Sequence, residues 1–376
     1  MNNGTTSSFR ILKTGAEGLA AMRAAIGAAR HSVRLETYIF SDSPVGRAIR
    51  DALVTARQRG VEVRVLVDAF GSSELPDALW KPLREAGGRV LSFNPLSLRR
   101  WSYRDHRKLL VCDEQTAIMG GFNIAQEYDG DGVTSGWRDL GLEVRGAAAA
   151  ELAHTFDRVF GLADFRHRRL QRLRQARDRV VEGANWQVLS SGPGCRHGEI
   201  KRSLAGDLSR AARIRMATAY FLPTWRLRRE LRRAARRGGR VQLMLAGTSD
   251  VPLTQLASRS LYRSLLRAGV EIYEYQPQIF HAKLIVADNK VYAGSANLDT
   301  RSLQINYEVL VRVDDPRLAA EAAAMFDEDL RHCRKIERKA WGRSRTWWDK
   351  VKERGAYLLL SKIDLLVARW QLKALR

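Results

Sequence analysis

Two stretches of the chain share one unusual pattern of residues. The first is HRKLLVCDEQTAIMGGFN, residues 106–123, and the second is HAKLIVADNKVYAGSAN, residues 281–297. Each reads His-x-Lys-x4-Asp, followed by Gly-Gly-x-Asn in the first copy and Gly-Ser-x-Asn in the second. From average residue usage, one His-x-Lys-x4-Asp is expected on the order of 0.02 times in a chain of this length. Two copies therefore indicate a duplicated unit rather than coincidence.

The repeat extends well beyond these two stretches. Residues 35–72 match residues 216–250, since each has a short β-rich run, a helix-period segment, a Gly turn and a second β-rich run. Residues 83–95 likewise match residues 265–277. Strands that alternate with helical segments are typical of α/β units, so the sequence predicts an α/β fold with two similar lobes.

The first copy is predicted to be a β-hairpin that carries its functional groups on one face. Side chains at i and i+2 of a strand share a face, so His106 and Lys108 point the same way. Asp113 falls where a turn begins, and the glycines that end at Gly121 let the backbone approach a ligand and bring Asn123 back towards the histidine. The second copy repeats this arrangement with His281, Lys283, Asp288, Ser295 and Asn297. A purely structural hairpin is the alternative, but a buried hairpin needs no His and Lys on one face.

Neither copy is complete as an active site, whereas the two together suit a phosphodiester. Lysine and asparagine side chains donate hydrogen bonds to phosphoryl oxygens where charge builds up. One histidine can attack phosphorus and form a phosphohistidine, while the other protonates the leaving alkoxide and then deprotonates the incoming alcohol. This chemistry requires no metal or other cofactor, and the sequence has no cluster of carboxylates or Cys/His at metal-ligand spacing.

Four acidic residues are candidates for supporting roles. An attacking histidine needs its second ring nitrogen held, and both Asp139 in WRDLGLEV and Glu308 in NYEVLVRV enter β-rich runs at matching places in the repeat. A surface carboxylate at a strand end is the alternative for both. Asp113 and Asp288 belong to the repeated motif and so to the candidate catalytic set, but we favour a turn-stabilising or orienting role for them over proton transfer.

The charge of the chain indicates the kind of partner it meets. Its 376 residues include 64 Lys+Arg against 41 Asp+Glu, which gives a formal net charge of +23. An excess of this size favours a polyanionic partner, either nucleic acid or an anionic membrane surface. Three scattered cysteines are typical of a reduced cytosolic compartment, and no apolar run reaches the roughly 18 residues of a membrane span. The sequence therefore predicts that any contact with a membrane is made at its surface.

The doubled motif resembles the signature of the phospholipase D superfamily, and the likeness extends over about residues 10–330. Within that superfamily, three stretches look like bacterial cardiolipin synthases of the shorter type that lacks N-terminal transmembrane helices: TYIFSDSPVGRAIRDALVTARQRGVEVRVLVDAFGS, HRKLLVCD…GGFNIAQEY and WRDLGLEVRG. The resemblance implies two phospholipase D-like lobes related by a pseudo-twofold axis, with the two motifs meeting at their interface.

The resemblance also implies a reaction and a role for each site residue. A phosphatidyl group passes from one phosphatidylglycerol to another through a phosphohistidine, which yields cardiolipin and releases glycerol. His106 and His281 are the nucleophile and the general acid/base; we favour His106 as nucleophile, although near-symmetry leaves the order open. The implied phosphate-binding residues are Lys108, Lys283, Asn123, Asn297, Gly121 and Ser295.

The sequence divides into four predicted segments. They are a first lobe at 1–165, a basic helical connector at 166–185, a second lobe at 186–335, and an amphipathic, basic helical tail at 336–376. In the tail, apolar residues fall near one helical stripe with Lys and Arg between them: Trp347, Trp348, Val351, Leu358, Leu359, Ile363, Leu366 and Trp370. This composition is typical of an interfacial helix. A helix docked on the protein's own core is an equal alternative.

The expected partner is an anionic phospholipid membrane of phosphatidylglycerol and cardiolipin, approached at the cytoplasmic face by a peripheral protein with no obligatory nucleic acid. A hydrolysing phospholipase D and a nuclease of the same superfamily remain as alternatives, since the basic charge would equally serve DNA or RNA. A membrane-binding scaffold without catalytic activity is a third. The sequence leaves the oligomeric state open.

Overall fold

The chain folds into two lobes, each built on one mixed β-sheet with helices packed against it. The computed structural model describes residues 7–95, 102–163, 181–192, 198–363 and 366. Within these residues the predicted fold class is confirmed, because both lobes are α/β and a helical appendage follows the second.

The first part of the first lobe alternates between strand and helix as the sequence predicts, and three further strands then precede its last helix. Its described strands are β1 (Ser7–Leu12), β2 (Ser32–Thr37), β3 (Glu62–Asp68), β4 (Arg89–Phe93), β5 (Leu109–Cys112), β6 (Thr116–Gly120) and β7 (Gly141–Gly146). Its described helices are α1 (Gly15–Ala28), α2 (Pro44–Gln58), α3 (Lys81–Glu85) and α4 (Ala147–Phe160).

The second lobe repeats this order and adds a short strand at each end. Its described strands are β8 (Val181–Glu182), β9 (Trp186–Ser191), β10 (Arg213–Thr218), β11 (Arg240–Ala246), β12 (Glu271–Tyr275), β13 (Lys283–Ala287), β14 (Lys290–Gly294), β15 (Glu308–Asp314) and β16 (Cys333–Lys335). Its described helices are α5 (Glu199–Arg210), α6 (Trp225–Arg236), α7 (Pro252–Leu266), α8 (Thr300–Gln304) and α9 (Pro316–Asp329), and the tail contributes α10 (Arg338–Ser344) and α11 (Trp347–Leu358).

Local sequence signals set where several of these helices begin. The Ser43 hydroxyl accepts a hydrogen bond from the backbone of Gly46 at the start of α2, and Pro44 follows as the first helical residue. Asp315 caps α9 in the same way before Pro316. A capping side chain satisfies a backbone N–H group that has no partner within the helix, and proline at the first position already has a helical φ.

The two sheets have the same strand order. The first runs β1-β7-β6-β5-β2-β3-β4, and the second runs β9-β15-β14-β13-β10-β11-β12, with β8 beyond β9 and β16 beyond β12. In the first sheet β2, β3 and β4 pair in parallel, and in the second sheet β10, β11 and β12 do the same. The remaining pairs of both sheets are antiparallel. The duplication read from the sequence is thus a duplication of the whole sheet.

Helices cover both faces of each sheet. The outer face of the first sheet packs on α1 and α2, and that of the second packs on α5, α6 and α7. The inner faces, together with α4 and α9, form one apolar core common to both lobes, in which Val111 and Val144 belong to the same cluster as Val291 and Val309. Because this core crosses the lobe boundary, the two motif hairpins are held in a defined relation to each other.

The tail docks on the second lobe through one face and exposes the other. Ala356 is buried in a cluster with Leu222 and Ala257. On the opposite side of α11, Trp347 is 66% exposed and Trp348 is 64% exposed. One face of α11 is therefore docked on the protein, as in the docked-helix alternative. The other face exposes the apolar stripe that was predicted to meet a membrane.

Parts of all four predicted segments lie outside the described residues, and the connector and the tail are the most affected. The residues left out are 166–180 of the connector, 364–365 and 367–376 of the tail, which include Trp370, and 1–6, 96–101, 164–165 and 193–197 of the two lobes. The end of the predicted connector belongs to the second sheet, because β8 pairs with β9. Each helix in the described part of the chain is either too short or too polar to span a bilayer.

Candidate active site

The two motifs meet at the boundary between the lobes. The predicted strand from His106 begins three residues later, at β5, because the residues before it pair with the other lobe. Asp105 forms a parallel bridge with Tyr307, and the N–H of His106 donates to the Tyr307 carbonyl at 3.0 Å. The N–H of His281 donates in the same way to the Arg138 carbonyl at 2.8 Å.

Each histidine is hydrogen-bonded to a carboxylate of the opposite lobe. His106 Nδ1 lies 2.9 Å from Glu308 Oε1, and His281 Nδ1 lies 2.7 Å from Asp139 Oδ2. The structure thus brings both predicted orienting carboxylates to the histidines, in crossed pairs. A ring held at Nδ1 presents Nε2 for chemistry in a fixed direction.

Gly121 and Ser295, which are predicted to bind phosphate, contact these carboxylates. A Cβ atom on Gly121 would lie 2.3 Å from Asp139 Oδ1, so only glycine leaves room for that carboxylate. At the equivalent position, Ser295 Oγ donates to Glu308 Oε2 at 2.6 Å. The Gly-Gly motif of the first lobe thus accompanies an aspartate, Asp139, and the Gly-Ser motif of the second lobe accompanies a glutamate, Glu308.

Both motif lysines are buried beside their histidines. Lys108 Nζ donates to the carbonyl of His106 at 2.7 Å and lies 5.2 Å from the ring centroid of Tyr38. Lys283 Nζ donates to the carbonyl of His281 and lies 3.3 Å from Nε2 of that ring. Each ammonium group therefore lies next to the imidazole whose chemistry it is predicted to assist.

The two motif asparagines differ in how their amides are used. Asn123 accepts from the N–H of Ile39 at 3.0 Å and donates to the Tyr128 hydroxyl at 2.8 Å. Its side-chain amide is therefore hydrogen-bonded within the first lobe. Asn297 is also buried, and its Oδ1 has no hydrogen-bond partner among the described residues.

Aromatic rings enclose the two histidines unequally. The ring of His106 lies 5.0 Å from that of Tyr38. The ring of His281 lies 5.5 Å from Tyr128, 5.7 Å from Trp137 and 6.3 Å from Tyr220. These aromatic residues are not among the site residues predicted from the sequence. A usable signal existed for some of them, since Tyr38 and Tyr220 belong to the matching runs TYIF and TAYF, and Tyr128 ends the run GGFNIAQEY.

The site favours uncharged forms of its titratable groups. Burial, reinforced by the neighbouring lysines, lowers the pKa of His106 well below its usual range, and burial raises the pKa of Glu308 to about 8. Burial also lowers the pKa of Lys108 to about 7 and lowers that of Lys283. For His281, burial and the charge of Lys283 lower the pKa, although Asp139 opposes them. A bound phosphodiester would place a negative charge beside these buried lysines and would so favour their charged forms.

Asp113 and Asp288 lie at the far ends of the motif strands, away from the histidines. Asp113 accepts hydrogen bonds from the backbone N–H groups of Arg30, His31 and Ser32 at 2.7–2.9 Å. Burial alone would raise the pKa of Asp113, but these three donors outweigh it and lower the pKa. Asp288 accepts from the backbone of residues 212 and 213 in the same way. These contacts support the turn-stabilising role over a catalytic one.

A family comparison agrees with the geometry of the site. The family described as cardiolipin synthase, PLD-like domain, matches residues 22–159 and 207–330 of this chain. The chain belongs to this family. Both motif hairpins lie inside the matched ranges, so the predicted family is confirmed.

Individual relatives within the cardiolipin synthase family cover most of the chain. The major cardiolipin synthase ClsA of Bacillus subtilis (strain 168) is 33% identical over 361 residues, which are 94% of this chain and 75% of the relative. Cardiolipin synthase B of Salmonella typhimurium (strain LT2) is 31% identical over 379 residues, covering 96% of this chain and 89% of the relative. The predicted enzyme class, a phosphatidyltransferase of the phospholipase D superfamily, is confirmed.

A solved structure shares the two-lobed fold. The phosphatidylserine synthase of Haemophilus influenzae Rd KW20 superposes with a TM-score of 0.75 at 16% sequence identity, covering 96% of this chain and 94% of the other. At this identity the likeness concerns the fold, which both chains carry over nearly their whole length.

In this member of the cardiolipin synthase family, a buried network of charges lies under the first motif. Arg107 donates to both oxygens of Glu36, at 2.6–2.8 Å. Asp68 accepts from the backbone N–H of Asp105 at 2.8 Å and lies 3.6 Å from the guanidinium of Arg104. All five side chains are buried. The network was not predicted from the sequence, because its members come from two separate strands, β2 and β3, and from the segment 104–107 before β5.

Proposed function

We propose that this protein is a cardiolipin synthase that moves a phosphatidyl group from one phosphatidylglycerol to a second, with release of glycerol. The observation that carries the proposal is the crossed pairing of His106 with Glu308 and of His281 with Asp139. Two imidazoles held by the opposite lobe can act on one phosphorus atom, one as nucleophile and the other in proton transfer. Membership of a family described as cardiolipin synthase supports the choice of substrate class.

His106 is the better candidate for nucleophile. Its side chain is 12% exposed, against 4% for His281, so a phosphorus atom can approach it more closely. When its Nδ1–H donates to the ionised Glu308, the lone pair on Nε2 is free to attack. The new N–P bond replaces the bond from phosphorus to the glycerol headgroup oxygen, and that oxygen takes a proton from protonated His281.

The second half of the reaction reverses these steps with a new alcohol. His281, now neutral, removes the proton from a hydroxyl of the second phosphatidylglycerol, and the oxygen attacks phosphorus. The N–P bond breaks, which regenerates His106 and leaves His281 protonated for the next cycle. Lys108 and Lys283 stabilise the charge on the phosphoryl oxygens in both steps, and Asn297 supplies a further buried polar group.

The enclosure of His281 favours transfer to a lipid alcohol over hydrolysis. Its ring lies 5.5–6.3 Å from those of Tyr128, Trp137 and Tyr220, and its side chain is almost fully buried. Water that reached this imidazole would be activated like an alcohol, so its exclusion protects the covalent intermediate. Asn123 contributes indirectly, because it holds the Tyr128 hydroxyl.

The proposed place of action is the surface of an anionic membrane, at its cytoplasmic face. A net charge of +23 attracts phosphatidylglycerol and cardiolipin, which are both anionic. The exposed face of α11 presents Trp347, Trp348, Val351 and Leu358 to solvent. Tryptophan and leucine beside basic residues are typical of a helix that lies in the membrane interface.

Product analysis tests the proposed function directly. The protein is incubated with phosphatidylglycerol vesicles, with the same vesicles plus phosphatidylethanolamine, and separately with plasmid DNA. We expect cardiolipin and glycerol by mass spectrometry and no nicked plasmid. Accumulation of phosphatidic acid would identify a hydrolase, and nicking without lipid product would identify a nuclease. A mixed product that contains phosphatidylethanolamine would extend the acceptor specificity.

A further inference from the structure

We propose that the groove between α7 and the tail helices is a second site for the headgroup of an anionic phospholipid, outside the active site. The groove has a volume of about 590 Å³ and is bounded by the C-terminal half of α7 on one side and by α10 and α11 on the other. The inference rests on the proposed function in one respect, namely that the protein works on a bilayer. It adds a place where the protein holds a lipid that it does not transform.

The groove has an unbalanced concentration of positive charge. Nine of the residues that line it are lysine or arginine, and the acidic one is Glu353. Arg345 lies 2.5 Å from Glu353, and Arg259 is paired with Glu274 at 3.0 Å. In the described part of the chain, the other seven cations, which include Arg263, have no carboxylate within 4.0 Å.

Cations that line a groove without counterions repel one another, and an anion bound there relieves the repulsion. Arg263 on α7 and Arg267 just after its end are exposed, as are Arg343 and Lys350 on the facing wall. Guanidinium groups bind phosphate oxygens in bidentate fashion. The chemistry of the groove therefore matches a phosphate-bearing headgroup.

The apolar rim of the groove selects a lipid over a soluble phosphate. Trp347 and Val351 line the groove and are exposed to solvent, and Trp348 beside them is 64% exposed. A free phosphate would gain nothing from two exposed indole rings. At a bilayer, tryptophan settles at the headgroup level while lysine and arginine reach the phosphates. The rim and the cations together fit a lipid that remains in its membrane.

The groove is separate from the active site. α7 spans 15 residues, which is about 22 Å of helix. Its N-terminal end follows Asp250, whose carboxylate accepts a hydrogen bond from Tyr220 beside His281. The groove lies at the other end, around Leu266. A headgroup bound there would hold the protein on the bilayer while the active site turns over its substrates.

Vesicle binding by two matched double variants tests this site. Arg263→Gln/Arg267→Gln removes two exposed charges from the groove, and Arg23→Gln/Arg30→Gln removes two exposed charges in or beside α1 of the first lobe. Binding is measured by co-sedimentation with phosphatidylcholine vesicles that contain 30% phosphatidylglycerol. Each basic residue at an anionic surface contributes about a fivefold factor, so we expect about 30-fold weaker binding for the groove variant and less than about a twofold change for the control.

A variant of the opposite wall, Arg343→Gln/Lys350→Gln, should weaken binding to a similar extent and guards against a local folding defect in α7. Cardiolipin formation from phosphatidylglycerol in detergent micelles should stay within about twofold of the unchanged protein for both groove variants. If the protein made no cardiolipin but the groove variants still lost vesicle binding, the proposed function would fail and the groove site would stand.

Three results would overturn the second site. Equal losses in the groove and first-lobe variants would show that only the total charge matters. Unchanged vesicle binding in both groove variants would exclude the groove from the membrane contact. If the unchanged protein bound inorganic pyrophosphate and the groove variants did not, while vesicle binding was the same in all of them, the groove would be assigned to a soluble anion.

Discussion

The residues that underlie the first motif within its own lobe are charged, whereas their counterparts under the second motif are apolar. The charged set lies around the segment that leads into β5 and consists of Glu36, Asp68, Arg104, Asp105 and Arg107. The strand registers place their counterparts in the second lobe at Ala217, Ala246, Ile279, Phe280 and Ala282. Both segments nevertheless make the same backbone contact with the opposite lobe, since each histidine N–H donates to a carbonyl there.

The comparison shows that two kinds of interior can hold the same catalytic group. A buried ion pair gains little over apolar packing because both charges must leave water, yet it is costly to break. The first lobe therefore holds His106 through contacts that tolerate little change, and the second lobe holds His281 through ordinary packing. The surroundings of the rings differ as well: His106 is partly open, and His281 is enclosed by three aromatic side chains. A duplicated framework has thus been specialised into two environments.

The largest effect is expected from the two histidines. His106→Ala and His281→Ala should each lower cardiolipin formation by about 10⁴-fold or more, because each removes a group that takes part in bond making. A phosphatidyl ester of p-nitrophenol needs no protonation of its leaving group. With it, His281→Ala should still release a burst of p-nitrophenol while His106→Ala should not. The reverse pattern would exchange the two roles.

The buried network should dominate the stability of the first lobe. Arg107→Ala leaves Glu36 buried without its partner, and we expect a loss of about 3–5 kcal/mol in the free energy of unfolding in urea. The double variant Glu36→Ala/Arg107→Ala should lose less than the single one, since it brings both positions to the alanines of the second lobe and leaves no unpaired glutamate. A double variant that is less stable than Arg107→Ala would contradict this account.

The pH dependence of kcat/KM should reveal the pair of His106 and Glu308. The nucleophilic form requires an ionised Glu308, whose pKa is raised to about 8 by burial, so activity should rise with pH on the acid side of the profile. Lys108, whose pKa is lowered to about 7, and His281, whose pKa is also lowered by burial, act in their protonated forms, so activity should pass through a maximum and fall on the alkaline side. Glu308→Gln should lose the rising limb, whereas Asp139→Asn should retain it. An unchanged profile in Glu308→Gln would remove Glu308 from this role.

The smallest effects are expected at the motif aspartates. Asp113→Ala removes three hydrogen bonds to backbone N–H groups, and Asp288→Ala removes contacts to two. Each should cost about 1–3 kcal/mol of unfolding free energy, with the larger loss at Asp113, while kcat at low temperature changes by less than about threefold. A loss of kcat comparable to that of the histidine variants would restore the catalytic role.

Much of the fold could be predicted because the internal repeat can be recognised in the amino-acid sequence. The spacing of His106, Lys108 and Asp113 and its recurrence from His281 predicted two hairpins, and the alternation of strands and helices predicted two α/β lobes. The tail was predicted less well, since the apolar stripe of α11 fits a membrane and a core equally. Packing of Ala356 on α7 decides which face of that helix is covered.

Sequence alone determined the family, the duplicated lobes, the residues of both motifs and the two carboxylates, because each leaves a local pattern. The tertiary structure decided that the carboxylates cross between the lobes, which no local pattern contains. Glu308 lies 202 residues from His106, and Asp139 lies 142 residues from His281. The structure likewise decided that Gly121 and Ser295 serve those carboxylates, and that one motif rests on charge and the other on apolar packing. Strand and helix periods report only neighbours along the chain, whereas these contacts depend on how two finished sheets bury their inner faces against each other.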